Sequence, residues 1–175
     1  MCLEFCGGIA PMKIGLISDT HDNLPLIRRA FAVFEREGME NVLHAGDIVA
    51  PFAAREILKF PGKVYAVYGN NDGEKAGLKN TGLDVVAGPR KLDLGGRRIV
   101  LAHAREDAER ADRDADIVVF GHTHKPSVER GVPFYVNPGE CGGWLTGRSS
   151  VAILDMDAMT ARIVDITEKQ ESTAC

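Results

Sequence analysis

Cysteine is scarce in this sequence, and no apolar stretch is long. The 175 residues include four cysteines: Cys2, Cys6 and Cys175 lie near the termini, and Cys141 lies in a glycine-rich segment. This distribution does not form a disulfide framework, so a hydrophobic core has to hold the fold together. The longest apolar runs, such as residues 117–120, are of strand length and fall far short of the roughly 20 residues that a membrane span requires.

The sequence also lacks an excess of basic residues and a recognisable secretion signal. It has 21 Lys+Arg against 25 Asp+Glu, which gives a net charge of −4 and a pI near 5.7. Nucleic acids and anionic membranes attract basic surfaces, so neither is an expected partner. Glu4 stands where a signal peptide would carry basic or apolar residues. We therefore expect a cytoplasmic protein.

The remaining composition is that of a globular protein, with 45% hydrophobic and 26% charged residues. A chain of this length buries roughly 70% of its unfolded surface, which is enough for a core that needs no metal or disulfide. Residues 1–11 show no periodicity, so we predict a disordered N-terminal extension there. Residues 12–175 are then predicted to form a single domain.

Strand and helix patterns alternate in the first half of the chain. Residues 12–18 form a short apolar run, and residues 24–37 carry apolar side chains at steps of three and four. Segments 41–45, 51–59 and 63–68 continue the alternation as strand, helix and strand. This order predicts a parallel sheet with ligands at the carboxyl ends of its strands.

The second half is richer in strands. Gly95-Gly96 separates two strand-like segments as a hairpin turn would, and a charged helix is predicted at 105–113. Further strands are predicted at 117–120, 127–129, 133–136, 149–154 and 161–167. Two mixed sheets stacked face to face, with helices outside, would bury all of these runs. The predicted class is α/β, as a four-layer α/β/β/α sandwich.

Residue types that bind metal ions follow five of the predicted strands. These groups are Asp19-Thr20-His21, Gly46-Asp47, Gly69-Asn70-Asn71-Asp72, His103 and Gly121-His122-Thr123-His124. Because parallel strands present their carboxyl ends at one edge, the groups can converge there. Any one of them could instead be a helix cap, a turn former or a structural histidine. All five together favour a metal site.

Spacing and donor type support the same interpretation. Asp19 and His21 are two residues apart, as are His122 and His124, and in an extended backbone this spacing points both side chains to one side. Carboxylate, imidazole and amide donors without thiolate suit Mn²⁺, Fe²⁺, Co²⁺, Ni²⁺ or Zn²⁺ and disfavour Ca²⁺.

Taken in order, these motifs resemble the signature of the calcineurin-like metallophosphoesterases, and most of all that of their small phosphodiesterases of the YfcE type. The segments that carry the resemblance are DTHDN at 19–23, HAGD at 44–47, GNND at 69–72, LAH at 101–103, GHTH at 121–124 and NPG at 137–139. The resemblance runs from Met12 to about Thr167. It implies an α/β/β/α sandwich, in agreement with the two predicted sheets.

The resemblance also implies a centre of two divalent ions, for which we expect Mn²⁺ first and Ni²⁺, Fe²⁺, Co²⁺ or Zn²⁺ as alternatives. One ion would be held by Asp19, His21 and His124, the other by Asn70, His103 and His122, with Asp47 bridging them. Cations about 3.5–4 Å apart need a shared anionic ligand to offset their repulsion. The implied activity is hydrolysis of a small phosphorylated substrate, above all a phosphodiester, by a metal-bridging hydroxide that attacks phosphorus in line.

Asn71 and Asp72 are the candidate catalytic residues beside the ligands. Many related enzymes have histidine at the position of Asn71, where it protonates the leaving alcohol or orients the substrate. An amide donates a hydrogen bond but supplies no proton, and general acid catalysis is worth about 10²–10⁴-fold. Asn71 therefore favours phosphodiesters and activated esters. Asp72 is expected either to hold a neighbouring ligand or to cap the next helix.

Arg105 and Asn137 are further candidates for substrate binding. Arg105 comes two residues after His103, where the family usually has glycine next to the histidine. It is either a phosphate clamp or a solvated arginine at a helix start. Asn137 belongs to an NPG segment followed by Glu140, where relatives commonly have serine, and it is a candidate for the wall of the site.

Two rival functions use the same fold. One retromer subunit resembles this family and serves as a protein-interaction scaffold that has lost histidines needed for activity. A nuclease would use the same metal chemistry, although the net charge of −4 counts against it. Apolar loop residues such as Trp144 and Leu145 could serve a contact between copies in a homo-oligomer.

Overall fold

Two mixed β-sheets lie face to face in the computed structural model, which describes residues 12–112 and 114–167. The predicted N-terminal extension, residues 1–11, lies outside the described residues. The strands are β1 Lys13–Ile17, β2 Asn41–His44, β3 Lys63–Val67, β4 Asp84–Val86, β5 Arg90–Leu94, β6 Arg97–Leu101, β7 Ile117–Val119, β8 Ser127–Glu129, β9 Phe134–Asn137, β10 Ser150–Asp155 and β11 Thr160–Asp165. The helices are α1 Leu24–Arg36, α2 Pro51–Ile57, α3 Lys75–Asn80 and α4 Arg105–Ala111.

The first sheet has the strand order β11-β10-β1-β2-β3-β4. Strands β1 to β4 are parallel, and β10 and β11 join them in antiparallel pairing. The second sheet has the order β5-β6-β7-β9-β8, in which β6, β7 and β9 are parallel and the two edge strands are antiparallel. Because the central strands of both sheets are parallel, each sheet gathers several carboxyl strand ends at one edge.

Apolar side chains fill three layers between these elements. Leu16 and Leu43 of the first sheet share a buried cluster with Leu101 and Val119 of the second. Helices α1 and α2 pack on the outer face of the first sheet, and α4 packs on the second through Ala108. The structure therefore confirms the predicted four-layer α/β/β/α sandwich.

Helix α1 shows how local sequence determines an element. The Asn23 side chain accepts a hydrogen bond from the backbone N–H of Leu26 at 3.4 Å, which caps the first turn. Ile27 and Phe34 lie on the buried face of the helix. Gly38 follows the last turn with φ 70°, a conformation that glycine adopts without a Cβ clash.

Several bounds differ from the sequence-based predictions. Helices α2 and α4 each end two residues earlier than predicted, at Ile57 and Ala111. No bounds for α3 or β4 were predicted from the sequence. Helix α3 buries only Leu78 and β4 has three residues, so neither shows a clear periodic pattern. No helix among residues 12–112 and 114–167 is long and apolar enough to cross a membrane.

Candidate metal centre

Hydrogen bonds join the loops that follow β1, β2 and β6 at one edge of the sandwich. The N–H of Asp19 donates to the carbonyl oxygen of Gly46 at 3.0 Å, and the N–H of His21 donates to that of Asp47 at 3.0 Å. In the second sheet, His103 Nδ1 lies 2.8 Å from the carbonyl oxygen of Ala45. The carboxyl strand ends of the two sheets therefore meet in one site.

Left-handed backbone is concentrated in these loops. Asp19, His21 and Asp47 have φ values of 52°, 40° and 59°, and His122 and His124 have φ values of 66° and 60°. For residues other than glycine, this conformation costs about 1–2 kcal/mol each. The prediction that both two-residue motifs are extended was therefore wrong. Their side chains are aimed by strained turns, a feature typical of functional sites.

Two other candidate ligands, His21 and His124, lie close to the buried Asp19 carboxylate. Its Oδ1 lies 4.0 Å from Nε2 of His21 and 3.6 Å from Nε2 of His124. The two imidazole rings are stacked, with centroids 5.3 Å apart and planes 11° apart. Asp19, His21 and His124, which we call the Asp19 cluster, have the ligand types and separations of a metal site.

A second group meets at the side-chain oxygen of Asn70. Asn70 Oδ1 lies 2.8 Å from His103 Nε2 and 2.9 Å from His122 Nδ1, and these two nitrogens are 3.3 Å apart. Ligand atoms at about 2.0–2.2 Å from one ion are themselves about 3–3.5 Å apart. These three residues, the Asn70 cluster, therefore already have the spacing of donors that share an ion.

Asp47 lies between the two clusters. Its Oδ2 is 3.6 Å from His21 Nε2 in the Asp19 cluster and 3.5 Å from His103 Nε2 in the Asn70 cluster. The carboxylate is buried, and a side chain at Gly69 would overlap it, which explains the glycine there. One carboxylate oxygen of Asp47 thus lies between a histidine of each cluster.

The site fits divalent cations by a second criterion. Asp19 Oδ1 and His21 Nε2 are buried, and neither has a hydrogen-bond partner within the described part of the chain. A buried polar atom without a partner costs about 1–3 kcal/mol. Burial raises the pKa of the Asp19 carboxyl, against the opposing effects of His103 and His124. A cation would satisfy both orphaned atoms and favour the ionised carboxylate.

Asn71 and Asp72 occupy different positions around Asp47. The Asn71 side chain donates to Asp47 Oδ2 at 2.7 Å, so it lies at the centre of the site. Asp72 is buried, and its oxygens accept hydrogen bonds from the backbone N–H groups of Asp47, Gly69 and Val49 at 3.1, 2.7 and 2.6 Å. It therefore braces the turn that carries Asp47, whereas α3 has Glu74 as its N-cap residue.

The two candidate substrate-binding residues are engaged by the protein itself. Arg105 donates to Glu109 at 2.8 Å and to Glu129 at 2.7 Å, and its guanidinium lies 4.3 Å from the Tyr135 ring centroid. The buried Asn137 donates to the carbonyl oxygen of Gly121 at 2.9 Å. Asn137 thus supports the loop that carries His122, and Arg105 has its charge already paired.

Two further buried polar residues contact the candidate ligands or their loops. Glu140 Oε2 lies 3.4 Å from His124 Nδ1. Burial opposes ionisation of Glu140, but hydrogen bonds from Leu145 and Thr146 and the nearby His124 outweigh it and lower its pKa. His44 Nε2 lies 3.2 Å from Thr20 Oγ1. The unusual glutamate after the NPG segment was the only signal available for Glu140.

Trp144 and a cavity lie beside the candidate ligands. Trp144 is 65% exposed, and its indole N–H donates to the carbonyl oxygen of His21 at 3.0 Å. A cavity of about 290 Å³ lies beside His124, and Lys125 and Arg148 are among the residues that line it. Space for a small molecule therefore borders His124, and its lining also includes the acidic Asp165.

The fold and the two clusters define a phosphoesterase of the calcineurin-like class. The sequence profile of the calcineurin-like phosphoesterase superfamily domain matches residues 12–159, so the chain belongs to this superfamily. The match includes every candidate ligand named above.

Particular relatives carry more specific names. The chain is 36% identical over 156 residues to Phosphodiesterase MJ0936 of Methanocaldococcus jannaschii, a match that covers 83% of this chain and 94% of that protein. It is 29% identical over 168 residues to Phosphodiesterase YfcE of Escherichia coli K12, covering 85% and 90% of the two chains. A solved structure described as a novel archaeal phosphodiesterase superposes with a TM-score of 0.80 at 34% identity, covering 89% of this chain and all of that one.

Proposed function

We propose that this protein is a dinuclear metal-dependent phosphodiesterase that acts on a small phosphorylated substrate. The position of Asp47 carries the proposal, because one buried carboxylate oxygen faces a histidine of each cluster at 3.5–3.6 Å. The names of the two relatives and of the superposed structure support phosphodiester hydrolysis.

We assign each cluster to one ion. The Asp19 cluster would hold the first ion, the Asn70 cluster would hold the second, and Asp47 would contact both. When bound, the ions supply an activated water and neutralise charge on the phosphoryl oxygens. The oxygen and nitrogen donors support Mn²⁺, with Ni²⁺, Fe²⁺, Co²⁺ and Zn²⁺ as alternatives.

Protein side chains orient the substrate and limit its chemistry. Asn71 holds Asp47 through two hydrogen bonds, and its amide can reorient to donate to a phosphoryl or leaving-group oxygen. It cannot donate a proton to an alkoxide, so substrates with stable leaving groups should react fastest. Lys125 and Arg148 beside the adjoining cavity favour a substrate with an anionic portion.

Hydrolysis of bis(p-nitrophenyl) phosphate tests the proposal. The protein is stripped with a chelator and assayed alone and with each of Mn²⁺, Ni²⁺, Fe²⁺, Co²⁺ and Zn²⁺. We expect turnover only after a divalent ion is restored, and none for Asp47→Asn, which keeps the side-chain volume but removes the shared charge. Turnover that is equal with and without ions, or absent with all five candidate metals, contradicts the proposal.

The rival functions have less support in the structure. A scaffold has no need for ligand side chains, yet all seven candidates are present and converge, five of them with left-handed backbone. A nuclease is disfavoured by the acidic balance of the chain. We further propose a cytoplasmic location and contact between copies through Trp144 and Leu145, which are 65% and 76% exposed.

A further inference from the structure

Glu140 is a buried carboxylate in the loop of residues 139–147, which borders the candidate metal centre. Its Oε1 accepts a hydrogen bond from the N–H of Leu145 at 3.1 Å. Its Oε2 accepts from the N–H and the hydroxyl of Thr146 at 3.1 and 2.9 Å. The same Oε2 lies 3.4 Å from Nδ1 of His124. One carboxylate thus contacts both the loop and a candidate metal ligand.

The two nitrogens of His124 face different partners. Nε2 is 3.6 Å from Asp19 Oδ1, whereas Nδ1 is 3.4 Å from Glu140 Oε2. His124 Nδ1 is buried and has no hydrogen-bond partner among the described residues, so at 3.4 Å its attraction to the Glu140 carboxylate is electrostatic. A neutral imidazole carries its proton on one nitrogen only. The anion at Nδ1 favours the proton there and leaves the Nε2 lone pair directed towards Asp19.

We infer that Glu140 is a positioning residue for His124, which it holds in the tautomer and orientation that bind an ion through Nε2. The inference rests on the proposed metal centre. A carboxylate behind a metal-binding histidine orients the ring and increases its basicity. A serine at this position would supply no charge to the imidazole.

Glu140 also supports the other histidine of the Asp19 cluster through the loop. By holding Leu145 and Thr146, it fixes the turn next to Trp144. The indole N–H of Trp144 in turn donates to the backbone of His21 at 3.0 Å. Loss of the Glu140 charge should therefore weaken the Asp19 cluster and leave the Asn70 cluster unchanged.

Metal titration of Glu140→Gln tests the inference. Glutamine keeps the side-chain volume and one acceptor oxygen but removes the charge that faces His124. We measure Mn²⁺ binding by calorimetry, the visible absorption of the Co²⁺-loaded protein, and the thermal midpoint of the metal-free protein. One of the two dissociation constants should rise by about 10–100-fold. The Co²⁺ spectrum should change. The midpoint should also fall, because the amide nitrogen of glutamine cannot accept the loop donors that one carboxylate oxygen accepts now.

Two further variants separate positioning from loop support. Glu140→Ser should weaken binding of the same ion. Thr146→Val removes the hydroxyl contacts with Glu140 and with the Arg148 backbone but keeps the charge that faces His124. It should lower the thermal midpoint, weaken metal binding much less than Glu140→Gln does, and leave the Co²⁺ spectrum unchanged.

Three outcomes contradict the inference. Unchanged affinity and spectrum in Glu140→Gln would show that the charge does not act on His124. Equal loss of affinity in Thr146→Val and Glu140→Gln would mean that Glu140 acts through the loop alone. If the unmodified protein binds no ion, the proposed metal centre fails together with the inference, whereas normal binding in the variant rejects the inference only.

Discussion

Asn71 and Asp47 are joined by two hydrogen bonds, one from the Asn71 backbone N–H to Oδ1 at 2.8 Å and one from its side-chain amide to Oδ2 at 2.7 Å. Asn71, at the position where the resemblance implies a histidine in many related enzymes, therefore contacts the carboxylate between the two clusters. This position lets the amide orient groups at the centre while supplying no proton. The choice of substrate should follow from that difference.

Asn71→His should broaden the substrate range towards poor leaving groups. A histidine can protonate a leaving alkoxide, which is worth about 10²–10⁴-fold where protonation limits the rate. We expect a rise in kcat for an alkyl aryl phosphodiester cleaved at its alkyl side, and little change for bis(p-nitrophenyl) phosphate. Steady-state rates on the two substrates measure the effect. A uniform change on both would mean that residue 71 does not act on the leaving group.

His122 offers a matched pair of substitutions, because its backbone is left-handed with φ 66°. His122→Ala and His122→Gly both remove a donor from the Asn70 cluster, so neither should turn over phosphodiesters. Alanine keeps the backbone strain and glycine does not. The glycine variant should therefore be the more stable of the two by about 1 kcal/mol in urea unfolding. Turnover in either variant would exclude His122 as a ligand.

The residues that gather at this edge of the sandwich were easier to predict from the sequence than the backbone conformation that brings them together. Asp19 and His124 were recognisable because metal-binding residue types follow strands, and convergence of strand ends is a property of parallel sheets. The left-handed turns were not predictable from spacing, since both motifs also fit an extended strand. Glu140 was missed because its role depends on a contact with His124, 16 residues earlier (140 − 124 = 16), across the fold.

The same limit applied to the fold. Helix α1 was predictable from its apolar periodicity, which ends near a glycine. Helix α3 has six residues and buries only Leu78, so no periodic pattern indicated its bounds. When an element is stabilised by tertiary packing and has no periodic pattern of its own, its first and last residues cannot be predicted from the sequence.

Asp72→Asn should destabilise the protein and weaken metal binding together. The carboxylate accepts three backbone N–H groups around the Asp47 turn. An amide nitrogen cannot accept, so at least one buried N–H loses its partner at a cost of about 1–3 kcal/mol. Urea unfolding of the metal-free protein and Mn²⁺ titration measure the two effects. If the free energy of unfolding of Asp72→Asn equals that of the unmodified protein, Asp72 does not stabilise the turn that carries Asp47.

His44 should make stability depend on pH in a predictable direction. Burial lowers the pKa of His44 from 6.5 to about 3, so the folded state keeps the ring neutral. The unfolded chain takes up a proton near pH 6.5, and stability therefore falls as pH decreases from that value towards the folded pKa. The limiting slope for one such group is about 1.4 kcal/mol per pH unit.

His44→Gln removes this titration. We expect the free energy of unfolding of the metal-free variant to change less between about pH 6 and pH 5 than that of the unmodified protein, by roughly 1 kcal/mol. Urea denaturation at both pH values measures this difference. A loss of stability that is the same at both pH values does not affect the comparison. Parallel pH dependences would show that His44 does not remain neutral in the folded state.

Anomalous diffraction from a crystal grown with Mn²⁺ would locate bound ions in the proposed dinuclear centre. We expect two peaks about 3.5–4 Å apart, one at the Asp19 cluster and one at the Asn70 cluster, with the Asp47 carboxylate between them. A single peak, or peaks elsewhere on the protein, would contradict the proposed dinuclear centre.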